Sequence, residues 1–214
     1  MVVLGLTGSI GMGKTTAGRV FRRMGIPVHD ADTEVHRLLG VGGSAVADVG
    51  EAFPGVVRDG AVDRAELGRR VFGDAAALRR LEGILHPMVA KAERRFLARA
   101  AAARRSIVVL DIPLLFETGA ERRCDATIVM TAPGFIQTAR VFRRSGMTRA
   151  RLAGIVARQI PDTVKRRRAD FVVSTGLDRR NTLRALMRIV RLMRQGRERR
   201  DCACQGQLSW KLDS

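Results

Sequence analysis

A chain of 214 residues is long enough for one core domain with insertions and too short for two full-sized independent domains. Hydrophobic residues make up 46% and charged residues 28%, ordinary globular usage that excludes wholesale disorder, and no apolar run approaches the roughly 20 residues needed to span a bilayer. The formal net charge of +18 attracts phosphorylated ligands and nucleic acid alike; nearly all of it is arginine, the lysines being Lys14, Lys91, Lys165 and Lys211.

Val2 to Leu6 is a short apolar run ending at Thr7 and Gly8, the pattern of a buried parallel strand that feeds a glycine turn. A helix is expected from about Lys14 to Met24. Ile26 to Val28 reads as a second strand leading into His29, Asp30, Ala31 and Asp32, and ligands of open parallel sheets bind at that carboxyl edge. From about Gly40 to Arg105 the pattern turns helical, with Leu67, Val71, Phe72, Leu78, Leu81 and Leu85 forming apolar stripes. Pro54, Gly55 and Gly60 mark loops, and Pro87 is expected to open a new helix near Met88. Strand character returns at Ile107 to Leu110, stopping at Asp111, and at Ala126 to Met130, stopping at Thr131. Helices are expected over Phe135 to Arg144 and Thr148 to Gln159, a last strand at Phe171 to Val173, and a closing helix from about Arg179 to Arg194. Beyond it, 196–214 reads as a poorly ordered tail. Alternating strands and helices imply an α/β fold with a parallel sheet and right-handed crossovers.

Gly8, Ser9, Ile10, Gly11, Met12, Gly13, Lys14 and Thr15 satisfy the P-loop pattern of glycine, four residues, glycine, lysine, then serine or threonine, between a strand and a helix. Phosphate binding there needs inward backbone N–H groups, a helix N-terminus aimed at negative charge, and little side-chain bulk. In that cradle Gly8, Gly11, Met12 and Gly13 enclose the phosphates of ATP, Lys14 reaches the terminal phosphates, the Thr15 hydroxyl ligates Mg2+, and Thr16 continues the site.

The reaction is set by what faces the γ-phosphate. Asp30 and Asp32 are strand-end carboxylates suited to taking the proton of an attacking hydroxyl; Asp32 is assigned the base and Asp30 the support, although one of them could instead cap the helix that begins near Ala31. Arg140 and Arg144 lie four apart on one helix face, suited to clamping phosphates.

The loop followed by Asp30-Ala31-Asp32 resembles the dephospho-coenzyme A kinase family. Further blocks agree in order: Gly60 to Leu67 with Val71-Phe72, Leu81-Glu82 with His86-Pro87, the specific Asp111-Ile112-Pro113-Leu114-Leu115-Phe116-Glu117, and Lys165 with Ala169 to Val173. The resemblance covers about residues 1 to 195. It implies transfer of the ATP γ-phosphate to the ribose 3′-hydroxyl of dephospho-coenzyme A, giving ADP and coenzyme A. It also implies a P-loop core of five parallel strands (1–39 and 106–195), a helical substrate-binding insertion (40–105) and a helical lid (about 134–168). By the same resemblance Asp32 and Arg140 are catalytic, Arg144 contacts the nucleotide, and Thr7, Asp30 and His86 lie on the substrate side. Asp111 would be a second carboxylate of the magnesium shell, and Leu114, Leu115 and Phe116 would face the pantetheine arm. Two features depart from the family: Ser145 stands where aspartate is common after the lid arginine, and the turn at Ser174-Thr175-Gly176 is short.

Two other readings stay open on the residues alone. One is a kinase of the same core acting on a nucleoside or nucleoside monophosphate. The other is a nucleotide-dependent RNA-binding protein, motivated by Arg166 to Arg168 and the arginines from Arg188 to Arg200; the lack of tyrosine and the single tryptophan, Trp210, argue against stacking platforms for RNA, and no nucleic-acid partner is expected. Cys124, Cys202 and Cys204 do not resemble a disulfide framework, and no basic segment precedes the N-terminal apolar stretch; a cytoplasmic protein is expected.

Overall fold

The computed structural model describes residues 1–144, 146–157, 159–176 and 178–204, with the backbone alone for 197–204. In chain order the elements are β1 (Val2–Thr7), α1 (Lys14–Arg23), β2 (Val28–Asp30), α2 (Ala31–Leu39), α3 (Val46–Ala52), β3 (Val57–Arg58), β4 (Ala61–Val62), α4 (Arg64–Val71), α5 (Ala75–Ala102), β5 (Ile107–Asp111), a 3-10 turn (Ala120–Arg123), β6 (Ala126–Thr131), α6 (Gly134–Phe142), α7 (Arg149–Ala157), α8 (Asp162–Arg168), β7 (Phe171–Ser174) and α9 (Arg179–Cys204).

The five-stranded sheet has the order β2-β5-β1-β6-β7. β1 runs parallel to both neighbours, Leu4 standing opposite Val109 on one side and Ala126 on the other. Every residue of β5 and β6 is buried, the signature of parallel strands covered on both faces. Ala17 and Phe21 of α1 and Leu186, Ile189 and Val190 of α9 pack with Leu4, Leu6, Ile128 and Met130 into one core. Edge strand β7 is fastened by Asp170, whose carboxylate accepts both the N–H and the hydroxyl of Thr127, at 2.8 and 2.7 Å.

The chain divides into two compact units, Met1–Val28 with the chain from Arg104 onward, and His29–Ala103. The second unit starts at His29, ahead of the boundary expected at residue 40, because Leu38 and Leu39 of α2 pack with Val49, Leu67, Leu81 and Leu85 in a core of its own. Aspartates start three of its four helices: Asp30 accepts the Thr33 N–H, Asp63 those of Ala65 and Glu66, and Asp74 those of Ala76 and Ala77, each satisfying amides that the first helical turn leaves unpaired.

Several expectations need correction. Pro87 lies inside α5, a single helix of 28 residues; Leu81 and Leu85 before it and Met88 and Val89 after it pack into the same cluster, and that shared face carries the helix past the missing N–H. Phe72, placed on an apolar stripe, caps the end of α4 and is 62% exposed. Asp59 and Gly60 form a hairpin turn, with φ of 49° and 75°, between the antiparallel β3 and β4. α8 was not foreseen, and α9 continues past Arg194 to Cys204. Of the expected tail, 205–214 lies outside the described residues.

Candidate active site

β1 delivers the chain to a loop that only glycines can close. A Cβ on Gly8 would stand 2.7 Å from the Met130 carbonyl oxygen. Gly11 and Gly13 hold φ of 79° and 89°, a left-handed region that costs other residues conformational energy. The Met12 N–H turns back onto the Ser9 carbonyl at 3.1 Å, and the buried Met12 sulfur accepts the Ala132 N–H. α1 then begins with no acidic residue in its first turn, so the partial positive charge of its N-terminal amides is left for an anion. Thr15 and Thr16 are exposed at that end.

Lys14 Nζ lies 2.8 Å from Asp111 Oδ1. Asp111 closes β5 and is 1% exposed, close enough to Gly18 that a Cβ placed there would stand 3.3 Å from its Oδ2; a carboxylate this deep is kept by its cationic partner. The loop is braced from outside as well. Arg140 of α6 donates to the Thr175 hydroxyl at 2.8 Å, to the Thr175 carbonyl at 2.7 Å and to the Gly11 carbonyl at 3.4 Å, while the Thr175 hydroxyl donates to the Met12 carbonyl at 3.0 Å. Arg140 thus stands against the loop, whereas α6 stops at Phe142 with Arg143 as its cap, so the exposed Arg144 lies past the helix rather than on one face with Arg140.

Some residues singled out from sequence turn out to be occupied with packing. Thr7 is fully buried, and its hydroxyl donates to the Pro113 carbonyl at 2.9 Å; it ties β1 to the segment after β5 and offers no surface to a substrate. Leu115 and Phe116 are buried as well, Leu115 against Gly5 and Phe116 beneath the Arg168 guanidinium, 4.8 Å from its ring. Of that apolar block Leu114 alone is half-buried. The following Glu117 accepts the Ile160 N–H at 2.8 Å and pairs with Lys165 Nζ at 2.8 Å; Lys165 is wholly inaccessible.

In the His29–Ala103 unit, Asp30 is the cap of α2, its Oδ1 accepting the Thr33 N–H at 3.0 Å. Asp32 sits in the first turn of α2, exposed. The capping possibility raised from sequence therefore falls on Asp30 and leaves Asp32 at the surface. Glu34, one turn on, is held below the usual glutamate range by the Arg37 guanidinium, which donates to both of its oxygens. His86 is exposed on α5.

Sequence reasoning missed two glutamines. Gln137 of α6 donates to the Ile10 carbonyl at 2.9 Å, and Gln159, after α7, accepts the Ile10 N–H at 3.3 Å. Nothing in a lone glutamine announces a backbone contact across more than a hundred residues. Among the described residues no cluster of three or more His, Cys, Asp or Glu is arranged to hold a metal. Oxygen donors near the loop, Thr15 and Asp111, suit a hard cation that takes one or two protein ligands and completes its shell with phosphate and water.

The family model described as dephospho-CoA kinase matches residues 2–178. A dephospho-CoA kinase of Paramagnetospirillum magneticum is 61% identical over 197 residues, 92% of this chain and 93% of that protein. One from Rhodospirillum rubrum is 55% identical over 197 residues, 91% of this chain and 93% of that protein. Among solved structures, the Thermus thermophilus protein TT1252 superposes with a TM-score of 0.78 at 33% identity, covering 88% of this chain and 95% of its own.

Proposed function

The chain belongs to the dephospho-CoA kinase family, and on that premise we propose how its residues divide the ATP-dependent phosphorylation of dephospho-coenzyme A, the closing step of coenzyme A synthesis. The observation that carries the division is the glycine loop with Lys14 held 2.8 Å from Asp111 at the head of α1. The loop and the α1 amides take the ATP phosphates, and Lys14 exchanges the Asp111 carboxylate for phosphate oxygen as ATP enters.

Asp32 draws the proton from the ribose 3′-hydroxyl as the new P–O bond forms, and the bond to the leaving ADP oxygen breaks. Its exposure at the start of α2 supports this role, and Asp30, the cap of that helix, keeps the support role. Arg140 stabilises charge on the transferred group, and Arg144 is a second phosphate contact. Thr15 and Asp111 would hold Mg2+, which when bound would supply charge neutralisation for the phosphates of ATP. His86, Asp30 and Leu114 are assigned to the dephospho-coenzyme A side; 40–105 is assigned to the substrate-binding insertion and 134–168 to the lid. A cytoplasmic setting without nucleic acid completes the proposal; among the described residues no helix is long and apolar enough to cross a membrane.

The test is ADP release by purified protein with dephospho-coenzyme A, set beside nucleosides, nucleotides and RNA as acceptors. Lys14→Ala and Asp32→Asn should each remove most turnover, by about a hundredfold or more, the second with ATP binding largely kept. Full activity in Asp32→Asn would remove the base assignment.

A further inference from the structure

Ile10 stands at the outer bend of the phosphate loop, and both of its backbone polar groups are taken by side chains from elsewhere in the chain. The N–H goes to Gln159 Oε1 at 3.3 Å and the carbonyl receives Gln137 Nε2 at 2.9 Å. A backbone N–H can only donate and a carbonyl can only accept, so the two amide side chains work in opposite senses. We propose that Gln137 and Gln159 are positioning residues for phosphoryl transfer: by anchoring the Ile10 peptide from outside, they fix the loop so that the amides at the head of α1 stay aimed at the phosphates.

Each anchor is itself held. Gln137 lies in the first turn of α6, where its own N–H bonds the Pro133 carbonyl at 3.0 Å. Gln159 adjoins Ile160, whose N–H is fixed by Glu117 at 2.8 Å, and Glu117 is gripped by the inaccessible Lys165. The buried Lys165–Glu117 pair, which the chemistry does not touch, thereby gains a purpose: it sets the segment from which Gln159 reaches the loop. Preorganised donors stabilise transferring charge only while their direction is fixed beforehand, and a loop anchored at one end of a peptide alone can still rotate about it. The two glutamines also bracket 138–158, the greater part of the proposed lid, so the loop bend is tied to both of that segment's ends.

The opposite polarities give a test that simple loss of packing would not imitate. Glutamate keeps an acceptor and loses the donor; lysine keeps donors and loses the acceptor. Steady-state kinetics with ATP varied should give a higher KM and lower kcat/KM for Gln137→Glu than for Gln159→Glu, the two differing by about tenfold or more. With lysine the order should reverse, Gln159→Lys being the weaker enzyme. Within each pair the added charge is the same but acts from a different position, so the order should persist at raised salt, where a through-space effect on the phosphates is screened; an order that vanishes with salt would count against the anchors. The KM for dephospho-coenzyme A should move less than that for ATP. Equal effects of glutamate at the two positions, or of lysine, would overturn the proposal; if one variant fails to fold, judged by circular dichroism, the other pair decides. The inference rests on the loop being the ATP site. Failure of that assignment would appear as wild-type protein that does not bind ATP, whereas failure of the glutamine anchors would leave wild-type binding intact and the polarity pattern absent.

Discussion

His29 immediately precedes the two aspartates assigned to the acceptor side, yet it faces inward: it is 7% exposed, its ring centroid lies 5.4 Å from that of Phe96, and its Nε2 has no hydrogen-bond partner among the described residues. Burial holds the imidazole below its ordinary pKa of 6.5, against the opposing pull of Glu93, Glu34 and Asp30. The direction fixes a pH dependence. Between the unfolded value and the lower folded one, the unfolded chain binds a proton that the folded chain does not, so stability is fully present above about pH 6.5 and falls as the solution is acidified, by at most about 1.4 kcal/mol per pH unit for one proton. Glu34, depressed by Arg37, acts in a separate and lower window, below the unfolded glutamate range. Replacing His29 with leucine should therefore flatten the decline in unfolding free energy between about pH 6.5 and pH 5, measured by urea titration at each pH. An unchanged slope would mean that burial does not lower the proton affinity of this histidine in the folded protein.

At the scale of elements, α5 shows how packing overrides a local signal. Proline inside a helix removes one hydrogen bond and crowds the carbonyl four residues back, here that of Gly83, at a cost of about 3 kcal/mol. The helix persists because the apolar face of Leu81, Leu85, Met88 and Val89 is continuous across the proline. Pro87→Ala should then raise the thermal midpoint, with a gain of about 1 to 3 kcal/mol read by calorimetry; a lowered midpoint would show that the ring itself is packed or that it shapes His86. The same contest explains what could be read beforehand. Strands β1, β5 and β6 were evident because a strand buried on both faces leaves an uninterrupted apolar run, and the phosphate loop was evident because its chemistry tolerates few residue types. Thr7, Leu115 and Phe116 are buried, a placement the sequence could not give because a side chain beside a site and one beneath it look alike in sequence. Gln137 and Gln159 escaped notice for a different reason: their partners are backbone groups, which carry no sequence signature. The Asp59-Gly60 hairpin was read only as a loop at Gly60, although aspartate-glycine supplies the two left-handed positions such hairpins need.

At the scale of the whole molecule, two separate cores hold two units. Leu4, Phe21, Ile128 and Leu186 belong to one; Leu38, Val49, Leu67 and Leu85 belong to the other. The phosphate loop, Lys14, Asp111 and Arg140 lie in the first unit, whereas Asp32 and His86 lie in the second. A ligand stabilises whatever it binds, by about 2.7 kcal/mol at a hundredfold excess over its dissociation constant, and the gain reaches a second unit only if the two open together. With separate cores, ATP alone should slow amide exchange in peptides covering 8–23 and 131–144 and leave most of 29–103 little changed. Dephospho-coenzyme A should then slow exchange around α2 and α5, where the acceptor-side residues are assigned. Hydrogen exchange with mass-spectrometric detection separates these regions. Equal slowing of both units by ATP alone would show that they unfold as one cooperative body, and a second unit indifferent to dephospho-coenzyme A would withdraw its assignment as the substrate-binding insertion.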